Sequence, residues 1–331
     1  MPDLTVVIPT LNRWQLLSTG ALRSALTQED VDLEVIVVND GSTDETAAGL
    51  ESLEDERVRV VRHEKPQGLA RARNAGIAAA RGEWVAFLDD DDLWAPWKLR
   101  KQLELAESAD ATFIYSPALY VTDGEVKLEP AIAPEGLTAQ LLAGEAIPAG
   151  GSNVLVRTEA IRQVGGFDEE ITHLGDFDCW VRLDPICRAA RCEEPLVAYV
   201  QHPTGMHLHN SRLVSSDVKH LHRKYQAQYE ALGREFDGER FVLWVAYLHK
   251  EAGRLRQAAT VYLVAAWHYR SLRHLVRAAA LLLGRRVRSA LLPIVRRIRG
   301  RRRSPQPAEV TRADPHYPAP AWLASYLAES P

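Results

Sequence analysis

Three cysteines, Cys179, Cys187 and Cys192, are all that 331 residues contain, and the odd count with no C-x-x-C pair argues against a disulfide framework. Reduced, packed thiols in a cytoplasmic protein are the expectation. No apolar run approaches the roughly 20 residues that cross a bilayer. The nearest, "LVRAAALLLG" at 275–284, is short and interrupted by Arg277. The start of the chain lacks a charged leader followed by an apolar core, so no signal peptide is expected. No G-x-G-x-x-G follows the first apolar run, which argues against a dinucleotide-binding dehydrogenase. Nor is there an early Gly-rich, basic phosphate loop of the kind a nucleotidyltransferase would use; "PTLNRWQLL" stands in its place.

What is present is unevenly charged. Residues 217–331 carry 21 Lys and Arg against 9 Asp and Glu; the whole-chain totals of 40 and 44 leave 19 against 35 for residues 1–216. An acidic first part is therefore joined to a basic second part. Within the latter, 285–303 holds nine arginines and no acid. Beside an amphipathic helix such a run suits an anionic bilayer; it would equally suit the acidic first part or a second subunit. No recognised nucleic-acid-binding fold accompanies it, so no nucleic acid is expected.

Apolar, β-branched runs at 4–8, 33–38, 58–61 and 83–88 alternate with helical patterns at 14–26, 42–53 and 68–80. Continuous rather than alternating apolar strands indicate burial on both faces, and the βαβ order predicts an α/β fold with a mostly parallel sheet covered by helices. Ser42 or Thr43 is expected to cap the second helix. Residues 111–116, 153–157 and 195–200 read as further strands and 175–183 as a helix. From about 215 the chain turns helical, with Gly253 between two helices. The expected organisation is a domain at 1–214, with halves at about 1–110 and 111–214, a basic helical region at 215–303, and a flexible Pro/Ala-rich tail at 304–331.

In parallel sheets ligands bind beyond the carboxyl ends of the strands. Three unusual loops end strands here: "PTLNR" (9–13), "NDGSTD" (39–44) and "DDDD" (89–92). Four adjacent carboxylates repel one another. A helix N-terminus could accommodate one or two of them. A divalent Mn²⁺ or Mg²⁺ held with a diphosphate accounts for the run better, because hard carboxylate oxygens plus phosphates are how such ions are usually bound. Asp40 could accept hydrogen bonds from a ribose or base, or simply form a turn with Gly41. Arg71 and Arg73 could meet a phosphate or the acids, or face solvent. Among the histidines of "QHPTGMHLHNS", His202 and His207, ahead of His209, could complete a metal shell or be structural.

"TVVIPTLNR", "VIVVNDGSTDET", "GLARARNAG", "EWVAFLDDDDLWAP", "GGFDE" and "GDFDCWVRL" occur in an order that resembles glycosyltransferase family 2 over about residues 3–212. These are inverting, nucleotide-sugar-dependent enzymes of the Rossmann-like GT-A fold. The resemblance implies that Pro9, Thr10 and Asn12 lie in the first nucleotide loop and that Asp40 binds the base. It implies that Arg73 lies near the nucleotide and that Asp89 and Asp91 form the D-x-D pair, with Asp91 the direct metal ligand. Asp90 is a helper on the nucleotide side and Asp92 a second possible helper, since the run leaves the register open. Asp176 matches the catalytic base, and Asp178 could cap its helix or position that base. Gly151, Ser152 and Asn153, with Trp180, fall on the acceptor side.

The resemblance therefore implies a metal-dependent transfer of one sugar, from a UDP- or dTDP-sugar by preference, to a glycan, lipid-linked or small-molecule acceptor. Non-catalytic scaffold and nucleotidyltransferase readings are the alternatives. The chain departs from the family pattern at Leu11, where an aromatic is common, at Asn39, where Asp is common, and at Gly175, where an acid precedes the base. The Q-x-x-R-W signature of processive members is absent. The expected location is the cytoplasm, with contact to the inner face of the membrane through 285–303.

Overall fold

The structure is a computed structural model that describes residues 2–122, 124–201, 211–251, 253–282 and 317–329. The chain forms two compact units. One comprises residues to about 201 together with 317–329; the other comprises 211–282.

The first unit is built on a seven-stranded sheet. Its strands, in chain order, are β1 (Leu4–Thr10), β2 (Leu33–Asn39), β3 (Val58–Arg62), β4 (Trp84–Phe87), β6 (Phe113–Tyr115), β9 (Leu155–Arg157) and β10 (Ala189–Arg191), in spatial order β10-β6-β9-β4-β1-β2-β3. β1 runs parallel to β2 and β4, while β9 is antiparallel to β4 and β6. Every residue of β1 and β2 is buried, as their unbroken Val/Ile runs require. The Leu69–Ala79 helix lies close on β1, because a Cβ at Gly76 would sit 2.3 Å from Val7 Cγ1. A second sheet holds β5 (Leu93–Trp94), β7 (Ala118–Thr122), β8 (Glu125–Glu129) and β11 (Val197–Val200), ordered β5-β11-β7-β8.

This topology positions the acid run. Residues 88–92 cross from β4 of the large sheet to β5 of the small one, so both ends are pinned within five residues. Thr10 and Asn39 are register partners, which brings the loops after β1 and β2 to the same sheet edge. The mixed α/β architecture expected from the sequence is the one observed.

Three local expectations are corrected. The helix expected over 42–53 spans only Thr46–Glu51 and has no side-chain cap from Ser42 or Thr43. Those residues tie loops instead: Asn12 N donates to Ser42 Oγ (2.9 Å), and Thr43 N donates to Asn12 Oδ1 (2.7 Å). The segment over 14–26 is helical, but Leu17–Ala21 is a π turn within it. The described part of the tail expected to be flexible holds a helix, Ala321–Glu329, whose Trp322 and Leu323 are buried in the core of the first unit, and Arg23 stacks over the Tyr326 ring.

The second unit contains the helices Ser211–Ala231, Gly238–Glu251, Leu255–His268 and Leu272–Leu282. Gly253, at φ +69°, lies between the second and third, as expected. No helix among the described residues is long and apolar enough to cross a membrane.

Candidate active site

The four acids separate by alternate positions. A turn closes the run, with Asp92 N donating to Asp89 O (3.1 Å). Asp90 and Asp92 point inward and are buried. Asp89 and Asp91 keep side-chain exposures of 29% and 18%. Asp90 accepts from Thr10 Oγ1 (2.8 Å) and Arg13 Nη1 (3.0 Å). Asp92 accepts from Ser152 Oγ (2.5 Å) and Val200 N (3.1 Å).

Two effects offset the repulsion within the run. Burial, reinforced by Asp91, pushes the Asp90 carboxyl up to about 7, against the pull of Arg13 and Thr10. Burial also raises Asp92 well above the usual carboxylate range, with Asp91 and Asp89 adding to the rise. Both inner acids thus favour the neutral form more than a solvated carboxylate does. Two guanidiniums meet the outer acids. Arg13 Nη1 donates to Asp91 Oδ2 (2.7 Å), and Arg73 Nη2 donates to Asp89 Oδ1 (2.7 Å).

Arg73 also reaches across the site, where its Nη1 donates to Asp176 Oδ1 (2.5 Å). The other oxygen, Oδ2, accepts from Gly151 N (3.1 Å). Asp176 stands in the first turn of the Gly175–Leu183 helix and is 31% exposed at the side chain. The glycines opposite it leave room for both side chains. A Cβ at Gly150 would lie 2.3 Å from Asp176 Oδ2, and one at Gly151 would lie 2.6 Å from Arg73 Nη2.

Several sequence-derived assignments are relocated by these contacts. Arg73 is buried, with both Nη atoms committed to carboxylates and Phe167 beneath its guanidinium, so of the readings open in the sequence it meets the acids. Asp90 is buried and anchors the first loop through Thr10 and Arg13. Ser152 and Asn153 are buried. Ser152 joins Asp92 to the Asp89 backbone, and Asn153 bonds to Ser116 and to Pro148 O. Trp180 packs between Phe113 and Phe167 in the core. Gly151 is the acceptor-side candidate that stays in the cluster, and it does so through its N–H.

Asp178 is buried and paired with Arg182, whose Nε donates to its Oδ2 (2.9 Å). Arg71 pairs with Glu169 at a half-exposed surface. Pro9 is buried within β1. Asn12 sits at φ +55° and knits the first two loops together. Asp40 is a latch for the 63–68 segment: it bonds His63 Nδ1 (2.6 Å), Gln67 N (2.9 Å) and Gly68 N (2.8 Å). His202 and His207, like the arginines of 285–303, lie outside the described residues.

Sequence reading missed Arg13, although it is the one basic residue in the first loop. It missed Asn74 as well. That side chain brackets the backbone of Phe167 on both sides (2.9 and 2.8 Å), joining the "ARN" and "GGFDE" motifs.

The outer carboxylates fit a divalent ion, with a condition. Among the described residues no group of three or more His, Cys, Asp or Glu could hold a metal. Asp89 and Asp91 supply hard oxygens, but a full shell needs oxygens from a ligand such as a diphosphate. The arrangement can therefore do two things: bind a cation–phosphate pair through Asp89 and Asp91, and offer Asp176 Oδ2 to a proton.

Known proteins share stretches of this sequence and its fold. The family model described as "Glycosyl transferase family 2" matches residues 5–165. The succinoglycan biosynthesis protein ExoO of Rhizobium meliloti (strain 1021) is 44% identical over 111 residues, which is 34% of this chain and 32% of that protein. WfaP of Escherichia coli, a UDP-Glc:alpha-D-GlcNAc-diphosphoundecaprenol beta-1,3-glucosyltransferase, is 35% identical over 97 residues, 29% of this chain and 39% of that one. The matched stretch thus spans well under half of either relative. Among solved structures, the mannosyltransferase PcManGT of Pyrobaculum calidifontis, in complex with GDP-Man and Mn²⁺, superimposes with a TM-score of 0.55. At 21% identity, covering 90% of this chain and 82% of that one, it shares the fold.

Proposed function

Residues 5–165 belong to glycosyltransferase family 2, and from that premise we propose that the protein transfers a single sugar from a nucleoside-diphosphate sugar to an acceptor hydroxyl, with inversion at the anomeric carbon. The observation that carries the reading is the placement of Asp176 against Arg73 and Gly151. Arg73 holds Oδ1, while Oδ2 receives one backbone N–H and has a further lone pair for an acceptor O–H.

In the proposed step Asp176 takes the acceptor proton as the acceptor oxygen bonds to the anomeric carbon. The bond from that carbon to the diphosphate breaks, and its electron pair leaves on the phosphate oxygen. Asp89 and Asp91 would hold Mn²⁺ or Mg²⁺, which when bound neutralises charge on the departing diphosphate as a Lewis acid. Arg73 keeps the donor-side acid and the base in fixed relation. Buried Asp90 and Asp92 keep the loop rigid, so that the outer pair does not have to be ordered on binding.

WfaP's name couples a UDP-sugar with a lipid-diphosphate-linked acceptor, which supports a UDP-sugar donor and a lipid-linked glycan acceptor here. PcManGT's GDP-Man and Mn²⁺ support a metal-bound sugar nucleotide. The described cysteines are free, which suits the cytoplasm. An anionic inner membrane surface is the partner proposed for the basic 285–303 run.

Titration calorimetry with UDP, dTDP and GDP, each with and without Mn²⁺, tests the donor site; tight binding of one nucleotide only with metal is expected. Asp176→Asn should abolish transfer while leaving that binding intact. Transfer at near the parent rate would remove Asp176 from the mechanism.

A further inference from the structure

Among its described residues the second unit exposes an apolar surface on one helix pair. On the inner side of the paired helices Leu255–His268 and Leu272–Leu282, Ala258, Ala259, Ala265, His274 and Ala278 are buried. His274 Nε2 meets Glu239 Oε1 at 2.6 Å, and the Tyr262 ring stacks on His274. On the outer side, Leu263, Val264 and Trp267 follow one another at helical spacing. Leu272, Leu275 and Leu282 do the same on the next helix. Trp267 is 82% exposed and Leu272 72%, although each belongs to a residue class that a folded unit normally covers.

Charge indicates what covers them. No Asp or Glu occurs between Glu251 and Glu309, and the described part of that interval carries Arg254, Arg256, Arg270, Arg273 and Arg277. A second copy of the pair would bring the same positive charge to the contact. The chain that follows in sequence, with nine arginines in 285–303, would do likewise. A partner with negative charge at its surface and hydrocarbon just beneath it satisfies both features. Trp at an interfacial level, Leu below it and Arg flanking them is the composition of a helix lying in a membrane surface. We propose that the helix pair 255–282 docks on an anionic lipid bilayer, with Trp267, Leu272 and Leu275 entering the headgroup–acyl boundary. This docking concerns a surface outside the first unit and requires no step of the proposed transfer, so either can fail alone.

The test is flotation of the full chain with phosphatidylcholine vesicles, with and without phosphatidylglycerol. The parent should float with the anionic vesicles and be released by salt. The Trp267→Ala/Leu272→Ala/Leu275→Ala variant should lose at least about tenfold in partitioning, since apolar insertion and basic attraction contribute jointly. These side chains are exposed, so thermal unfolding should be nearly unchanged. Should the triple variant misfold, Trp267→Phe decides: the fluorescence difference from the parent should be quenched by brominated acyl chains. The proposal is overturned if neither vesicle binds at low salt or if the triple variant floats like the parent. It is likewise overturned if light scattering shows a dimer that the triple variant dissociates, or if brominated chains leave Trp267 unquenched.

Discussion

Asp89 and Asp176, 87 positions apart in the sequence, are joined by one guanidinium: Arg73 Nη2 lies 2.7 Å from Asp89 Oδ1 and Nη1 lies 2.5 Å from Asp176 Oδ1. One acid belongs to the strand-end loop proposed to hold the donor, the other to the helix proposed to hold the base. A planar fork can serve both at once; a lysine cannot hold the same bidentate geometry. Arg73→Lys should therefore lower kcat by at least about tenfold, because a misplaced catalytic group costs orders of magnitude. KM for the donor should change much less. Gly151→Ala should act through the same strut, since the new Cβ would press on Arg73 Nη2. Steady-state kinetics on both variants checks this, and an unchanged kcat in Arg73→Lys would show that the strut is only structural.

Arg13 would compete with the proposed divalent ion for one oxygen. Its Nη1 lies 2.7 Å from Asp91 Oδ2, on the outer carboxylate proposed as a metal ligand. Removing it should make Mn²⁺ binding tighter in the absence of nucleotide. A gain of several-fold is expected for Arg13→Ala, because a partly exposed ion pair is worth on the order of 1 kcal/mol. Electron paramagnetic resonance of free Mn²⁺ measures this without any turnover. Weaker binding in the variant would mean that Arg13 orders the acid loop more than it competes for it.

Much of this was legible in the sequence, and the reason is burial. β1, β2 and β4 are covered on both faces, so their apolar runs are continuous and their ends mark the loops of the site. The acid run is visible because carboxylates at such an end are costly without a purpose; Asp176, in the first turn of a helix, is singled out only by the resemblance of its motif to the family. The division of labour within "DDDD" was not legible. It depends on which side chains the 89–92 turn aims inward, and on Ser152 and Val200 arriving from distant segments to receive Asp92. Trp180 was assigned to the acceptor side because sequence does not distinguish an aromatic lining a site from one packed behind it. For Arg73 the sequence leaves phosphate, acids and solvent open, because its partner at position 176 comes together with it only in the fold.

Lys98 should make stability depend on pH. It is fully buried, its Nζ bonds Gln102 Oε1 at 2.7 Å, and it lies over the Trp94 ring. Burial pulls its pKa down to about 7, against a smaller upward pull from Cys192. Below pH 7 both folded and unfolded chains carry the proton, and the cost of a buried ammonium is present in full. Between 7 and the ordinary value of 10.5 the unfolded chain binds a proton that the folded one does not. Stability from this group therefore rises with pH in that window, by up to ~1.4 kcal/mol per unit. Lys98→Met should remove the slope. Denaturant unfolding of both proteins across the window gives the difference directly, and parallel curves would refute it.

The C-terminal helix should stabilise the catalytic unit from outside its contiguous sequence. Trp322 and Leu323 are buried among residues of the first unit's core, while Arg23, from the helical segment after β1, stacks on Tyr326 at 5.3 Å. Truncating a buried Trp typically costs about 3–5 kcal/mol, through lost transfer free energy and the cavity left behind. Trp322→Ala should therefore lower the unfolding midpoint of the first unit, and deletion of 317–331 should lower it at least as far. Neither change touches the acid loop or Asp176, so nucleotide affinity measured well below the midpoint should stay near the parent's. A midpoint unchanged by the deletion would mean that the helix rests on the unit without supporting it. A loss of affinity at low temperature would instead mean that the helix holds the loop after β1, and with it Arg13, in register with the acids.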